Sequence, residues 1–300
     1  MICLFPAKSF SAVYVNEGFE GNSFDGTPEG YIGSDGSCTT GGTECSVTAG
    51  TCTGCDGVTN KVFIQSSVVH SGSYALKGQF VSTAGAASFK LIDTRYGITF
   101  PTTIYVRFYI RWDSAFRFYS ASKVFERSFN YYFTIRGVTS TSNWGGADNT
   151  PYGMIGMYSS DQSAKTVCGA YTDDLAGIAM SRQCTNSDGA NWIIDLTNPD
   201  HIGWWYFEVM IDMVNDKFSV WVKRPKDTSV TQVFNEMAWT FNNNTDEIHW
   251  MWLNDCGTGK GGGIVYVDDV VVANEYIGPT EESTPTRTLN NVTGVRVTLH

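Results

Sequence analysis

Between Tyr105 and Trp112 the chain reads Tyr-Val-Arg-Phe-Tyr-Ile-Arg-Trp, alternating apolar side chains with polar-tipped ones. Successive side chains of a strand point to opposite faces. Val106, Phe108, Ile110 and Trp112 then suit a core, while Tyr105, Arg107, Tyr109 and Arg111 form a row on the other face. Tyr and Arg join flat apolar area to hydrogen-bond donors, a combination that suits sugars and carboxylates. Nearby segments repeat the pattern. Asn130, Tyr132, Thr134 and Arg136 alternate with Phe129, Tyr131, Phe133 and Ile135, and Tyr206, Glu208 and Asp212 alternate with Trp205, Phe207, Val209 and Ile211. Over 107–136 six bases (Arg107, Arg111, Arg117, Lys123, Arg127, Arg136) meet only Asp113 and Glu126. An anionic polysaccharide would need such a basic island. An exposed sheet face on which Arg107 or Arg111 pairs with Glu208 or Asp212 explains the same row without a groove.

Two chemistries can be weighed on such a face. β-Elimination from a uronic acid needs a group that neutralises the carboxylate, a base for the C5 proton and an acid for the leaving oxygen. Tyr109, Arg107, Lys123 and His249 are the candidate catalytic residues, and Tyr105, Arg111, Asn130, Tyr132 and Arg136 the candidate substrate-binding ones. In the stretch Glu247–Asn254, either His249 with Met251 or Trp250 with Trp252 and Asn254 would join that face. Retaining glycoside hydrolysis instead needs two carboxylates about 5–5.5 Å apart. Glu208-Val-Met-Ile-Asp212 is the nearest run and lacks a third acid, so hydrolysis is the weaker reading. His70 and His201 fall in expected turns and read as structural or surface residues. A glycan binder without chemistry uses the same residue types, although most of the nine Trp are expected in the core.

The elements that must hold these residues are strands. The chain has 300 residues, 42% apolar and only 17% charged, with 18 Phe, 15 Tyr and 9 Trp. A net charge of −10 argues against a non-specific nucleic-acid binder. No run approaches the roughly 18 apolar residues of a membrane-spanning helix. Alternation predicts strands at Val13–Phe19, Lys61–Val68, Ser73–Phe80, Ala87–Thr94, Thr103–Asp113, Phe129–Gly137, Gly153–Tyr158, Glu247–Asn254 and Ile264–Ala273. Trp204–Val214 and Lys217–Lys223 read as a hairpin about Asn215-Asp216. Residues 20–60 read as loop, and 160–202 as mostly loop with room for short strands, Ala170–Met180 being the one candidate for a helical turn. Short strands joined by Gly- and Asn-rich turns imply an all-β, two-sheet antiparallel sandwich.

Eight cysteines occur, four of them (Cys38, Cys45, Cys52, Cys55) in one Gly/Thr-rich stretch. A local disulfide knot fits better than a zinc site there, because a single Cys-x-x-Cys has no second pair nearby. Cys168 and Cys184 are a second candidate pair, and this cysteine usage favours a secreted, extracellular protein. Residues 1–12 read as a signal remnant without a basic n-region. The reading is then one domain over 13–278, followed by a linker and tail at 279–300. Val292, Val295, Val297 and Leu299 alternate in that tail, so residues 291–300 are a candidate strand for self-association.

Three further segments carry a family likeness: Asn16-Glu17-Gly18-Phe19-Glu20-Gly21, His70-Ser71-Gly72-Ser73-Tyr74-Ala75-Leu76-Lys77, and Val265-Tyr266-Val267-Asp268-Asp269-Val270-Val271-Val272. Together they resemble the concanavalin-like β-jelly-rolls of secreted carbohydrate-active proteins, among them polysaccharide lyases and carbohydrate-binding modules. The resemblance implies a jelly roll over 13–278. It also implies a structural calcium ion where the first and last strands meet, with Glu17 or Glu20 and Asp268 or Asp269 as the matching oxygen donors. It implies a polysaccharide partner that is bound and, in the lyase-like members, cleaved by elimination. The alternative is a non-enzymatic structural or adhesive protein that assembles through its C-terminal strand.

Overall fold

The computed structural model describes residues 12–20, 31–33, 44–48, 51–53, 61–80, 85–92, 99–116, 130–136, 152–158, 165–174, 177–183, 193–215, 217–238, 247–254 and 263–280. Eighteen strands lie among them: β1 (Val13–Glu17), β2 (Tyr31–Gly33), β3 (Glu44–Thr48), β4 (Thr51–Thr53), β5 (Lys61–Gln65), β6 (Ala75–Phe80), β7 (Gly85–Ile92), β8 (Thr103–Trp112), β9 (Asn130–Arg136), β10 (Tyr152–Tyr158), β11 (Lys165–Asp174), β12 (Gly177–Gln183), β13 (Ile193–Asp195), β14 (Trp205–Asp212), β15 (Lys217–Lys223), β16 (Thr231–Ala238), β17 (Glu247–Asn254) and β18 (Gly263–Ala273). Helix among the described residues is a single 3-10 turn, Pro199–His201. None is long and apolar enough to cross a membrane.

An eight-stranded sheet runs β16-β15-β14-β8-β18-β6-β5, with β1 beside β18, and a ten-stranded sheet runs β12-β11-β10-β9-β17-β7-β2-β3-β4, with β13 beside β11. All pairings among the described residues are antiparallel, consistent with a β-sandwich. The expected hairpin forms between β14 and β15, and the first strand pairs with the last, Val15 opposite Val272 and Glu17 opposite Val270. Two expectations need correction. Residues 160–202 hold strands longer than the short ones expected: β11 and β12 pair with Asp174 opposite Gly177, and no helical turn lies among their described residues. Residues 20–60 contain β2, β3 and β4. Residues 20–60 are rich in Gly and Thr, and residues 160–202 in Ala and short polar side chains, so weak alternation hides the strands.

The core is the inward phase of the eight-stranded sheet. Val106, Phe108 and Ile110 of β8 meet Phe207, Val209 and Ile211 of β14, Val220 and Val222 of β15, and Val265, Val267, Val270 and Val272 of β18. Trp112 packs edge-on against Trp205, and Phe108 stacks on Phe207 with ring centroids 5.6 Å apart. Phe108→Ala should therefore remove about 3–5 kcal/mol of stability through lost burial and the cavity left behind, measured by urea unfolding. A loss under about 1 kcal/mol would mean that the centre of the sheet is not this core.

Candidate functional site

Two constellations stand out, one built on β18 and the other on β8 and β14. The first is a clasp around the turn His70–Tyr74. Strand β18 is bulged between Asp268 and Val271, and Asp269 takes a left-handed conformation (φ 49°). Regular alternation would send consecutive side chains to opposite faces; the bulge lets both carboxylates reach one turn. Asp268 Oδ2 accepts from the backbone N–H of His70 (2.8 Å) and Ser71 (3.3 Å), and its Oδ1 from the N–H of Asp269 (2.8 Å). Asp269 pairs with His70 Nδ1 (2.6 Å) and accepts from Ser71 Oγ (2.6 Å). Glu20 accepts from the N–H groups of Ser73 and Tyr74. Gly72 (φ 60°) lies so close that a Cβ there would stand 2.1 Å from Glu20 Oε1. Glu17 is fully buried and accepts from the N–H of Phe19 (2.8 Å).

Of the acids expected to hold calcium, Glu20, Asp268 and Asp269 thus meet around one turn with oxygens directed at N–H and O–H donors, while Glu17 accepts from the Phe19 N–H of its own segment. Calcium needs six to eight oxygens. Among the described residues no group of three or more His, Cys, Asp or Glu has metal-binding spacing. The arrangement fits a hydrogen-bonded clasp, and no step is assigned to a metal.

The second constellation is the outward face of β8 and β14. Arg107 stands opposite Glu208, and Tyr109 opposite Tyr206. This face is not the open groove floor that the alternation suggested. Arg107 and Tyr109 are only 7% and 5% exposed, and Glu208 is fully buried. The segment Glu275–Thr280, following β18, straps across them. The N–H groups of Ile277 (2.7 Å) and Gly278 (2.9 Å) donate to the two Glu208 oxygens, and the Tyr206 hydroxyl donates to the same carboxylate. Arg107 Nη1 donates to the Gly278 carbonyl (3.3 Å). The Tyr109 hydroxyl accepts from Thr280 N–H (2.9 Å) and donates to its carbonyl (3.2 Å). His70 stacks flat on the Tyr109 ring, centroids 3.6 Å apart, so the clasp and the strap share a wall.

Beside the strap three aromatic rings stay partly open: Tyr105 of β8, Trp221 of β15 and Tyr276 of the strap, the last 45% exposed. Trp221 lies between the other two, with centroids 6.2 Å from Tyr105 and 5.1 Å from Tyr276.

The other candidates are dispersed. Arg111 is half-buried on β8, opposite Tyr266. Asn130, Tyr132 and Arg136 belong to β9 and His249 to β17, in the ten-stranded sheet, so they do not share a sheet with Arg107 and Tyr109. Within that sheet Thr134 stands opposite His249, and Arg136 opposite Glu247. Lys123 lies outside the described residues, as do Cys3, Cys38, Cys55, Cys184 and Cys256. Sequence reasoning read His70 as a structural or surface turn residue and passed over Trp221 and Tyr276. Trp221 had a legible signal: in Lys217-Phe-Ser-Val-Trp-Val-Lys223 it is the one aromatic in the polar phase.

The electrostatics follow burial. Burial raises the Tyr109 phenol above its ordinary value, which does not suit a base. Burial likewise raises Glu208, against the hydrogen bonds from Tyr206 and the strap. Tyr105 is raised by burial and then by the charges of Glu208, Asp212, Glu236 and Glu275. In the clasp, burial and the neighbouring Asp269 push Asp268 up to about 8, whereas the bonds from His70 and Ser71 outweigh burial and hold Asp269 below the ordinary carboxylate range.

No family model and no curated protein matches the chain. Among solved structures, it is similar to the alginate lyase vAL-1 from Chlorella virus (11% identity, 71% of this chain and 88% of that one, TM-score 0.38). It is also similar to a carbohydrate esterase from Shiga toxin-encoding bacteriophage phi24B (9% identity, 88% and 98%, TM-score 0.40). A third is the CBM22-1 xylan-binding domain from Paenibacillus barcinonensis (9% identity, 90% and 100%, TM-score 0.32).

The clasp makes a pH prediction. Folded Asp268 keeps its proton to about pH 8 and the unfolded residue releases it near pH 3.8, so its contribution to stability is full below that value and lost as pH rises toward 8. Asp268→Asn cannot ionise and keeps one acceptor for the turn. Its melting temperature should gain on that of the wild type steadily between about pH 4 and 8. Parallel profiles would show that Asp268 carries no displaced proton.

Proposed function

We propose that this chain is a secreted glycan-binding β-sandwich of the jelly-roll class. The observation that carries the reading is the outward face of the eight-stranded sheet, where a buried polar floor of Arg107, Tyr109 and Glu208 is bordered by the partly open rings of Tyr105, Trp221 and Tyr276. Sugar sites combine apolar rings with a few fixed polar groups, and this face has both.

The geometry favours binding over β-elimination. A lyase would need the Tyr109 hydroxyl and the Arg107 guanidinium at the substrate, and the strap occupies both. The anionic ligand expected from the basic island loses Arg107 to the strap, and Arg136 lies in the other sheet. Coverage of Arg107 and Tyr109 also favours a second reading, an extracellular structural or adhesive protein in which the strap simply seals the sheet. A glycan panel scored for retention and for unsaturated product absorbing near ~235 nm, the region where a carbon–carbon double bond conjugated to a carboxylate absorbs, separates the three. Retention without absorbance is expected. Absorbance that Tyr109→Phe abolishes would establish elimination, and neither signal would leave the structural reading.

Calcium at Glu17, Glu20, Asp268 and Asp269 is a separate proposal. It requires bound calcium by elemental analysis and a fall in melting temperature after exhaustive chelation, because a ligand of the folded state stabilises it by mass action. An unchanged melting temperature with no metal found would remove it.

A further inference from the structure

The strap has a feature that sealing a sheet does not require. A buried carboxylate and a buried guanidinium are expensive to desolvate, and here both hold a short piece of backbone. Glu208 takes two of its N–H groups and Arg107 one of its carbonyls. What this anchoring places at the surface is the Tyr276 ring, tilted 56° against Trp221. Tyr105 lies nearly parallel to Trp221, at 27°. Trp221 and Tyr105 therefore form a floor and Tyr276 a wall.

The polar atoms of two of the three rings are also available, whereas the Tyr276 hydroxyl meets that of Tyr206 at 3.5 Å. Trp204 Nε1 donates to the Val69 carbonyl and Trp205 Nε1 to the His201 carbonyl. Among the described residues, the Trp221 indole N–H and the Tyr105 hydroxyl have no such partner. Trp221 sits in the outward phase of β15, between Ser219 and Lys223, whereas Phe218, Val220 and Val222 fill the core. An aromatic ring held out of the core, with its donor unused and a second ring fixed against it, is a preorganised contact surface.

We propose that Trp221, Tyr105 and Tyr276 form a stacking platform for a neutral hexose- or pentose-based glycan, and that the strap is part of this binding site. The proposal rests on the glycan-binding reading and specifies its ligand. The apolar C–H face of a pyranose carries slight positive charge and packs on the negative face of an aromatic ring. Its rim of hydroxyls can then accept from the Trp221 N–H and donate to nearby carboxylates. The surrounding charge disfavours a uronate or a sulfate. Asp212, Glu236 and Glu275 stand near Tyr105. Of the bases on this face, Lys217 is paired with Glu236 (3.1 Å), Arg107 is under the strap, Lys223 is two positions from Trp221, and Arg111 and Lys77 lie toward Tyr266 at the far end of β8.

The test uses the full chain with cellohexaose and xylohexaose as neutral probes, and oligoalginate and oligogalacturonate as anionic ones. Affinity is read by calorimetry and tryptophan fluorescence, with melting temperature alongside. At least one neutral probe should bind, and bind at least about tenfold more tightly than either anionic probe. Tyr276→Ala and Trp221→Ala should each weaken it by about tenfold or more, as expected of a central aromatic contact. Tyr276→Phe keeps the ring and should stay within about threefold of wild type. Because Tyr276 is nearly half exposed, its removal leaves the core intact, so the Tyr276 pair decides the matter even if Trp221→Ala is unstable. Neutral binding that both alanine variants retain would overturn the platform and leave the glycan reading standing. Binding of the anionic probes alone would overturn the ligand class. No binding to any probe would remove both readings.

Discussion

The Glu208 carboxylate holds the outward face together. It is fully buried and tolerates that position by accepting three hydrogen bonds, two from strap N–H groups and one from Tyr206. Arg107, directly opposite on β8, supplies a compensating charge and holds the Gly278 carbonyl. Without the carboxylate, two strap N–H groups and the Tyr206 hydroxyl would lose their acceptor, and the guanidinium would lie buried without its counter-charge. Such losses cost far more than surface ion pairs, which here include Lys217 with Glu236. Tyr276 reaches Trp221 only because the strap is tied down at this point.

The clasp on the other side of Tyr109 uses the same physics with different donors. The His70–Tyr74 turn has N–H groups that no strand pairs, and Asp268 and Glu20 accept from four of them. Those acids arrive from opposite ends of the chain, Glu20 just after β1 and Asp268 from β18. Closing the first strand on the last therefore also closes the turn. Two adjacent carboxyls at such a site divide their roles: Asp269, bonded to His70 and Ser71, keeps its charge, while Asp268 gives up acidity to burial and to its neighbour. The left-handed Asp269 backbone is the local strain that this arrangement requires, and aspartate tolerates that region better than most side chains.

Much of the architecture was legible because period-two alternation is strong where strands are half apolar. It placed Val106, Phe108, Ile110 and Trp112 inside and predicted the β14–β15 hairpin. It failed where side chains are small. The run Gly177-Ile-Ala-Met-Ser-Arg-Gln183 has no clear phase, yet it pairs with β11 across a full hairpin. The site was less legible. Alternation put Tyr105, Arg107, Tyr109 and Arg111 on one face correctly, but it carries no information about what covers that face. The cover is a segment about 171 positions later, broken by Gly278-Pro279 and too short to show alternation. Nor does alternation say which sheet a strand joins, so β8 and β9 looked like neighbours and lie in different sheets.

The one aromatic out of phase was the more informative signal. A polar residue in the outward phase is what a solvated face needs and therefore says little about function. A tryptophan there exposes apolar area to water unless something packs on it, and a ligand is one such partner. The strap gives part of this answer by laying Tyr276 over one side of Trp221. It leaves the side toward Tyr105 partly open, with an indole N–H unused among the described residues. If the segment served only to seal the sheet, apolar contact over both sides of the indole would be the more stable arrangement. A cover that stops beside an open ring, and sets a second ring at an angle to it, is shaped for a partner with a flat apolar face and a polar rim.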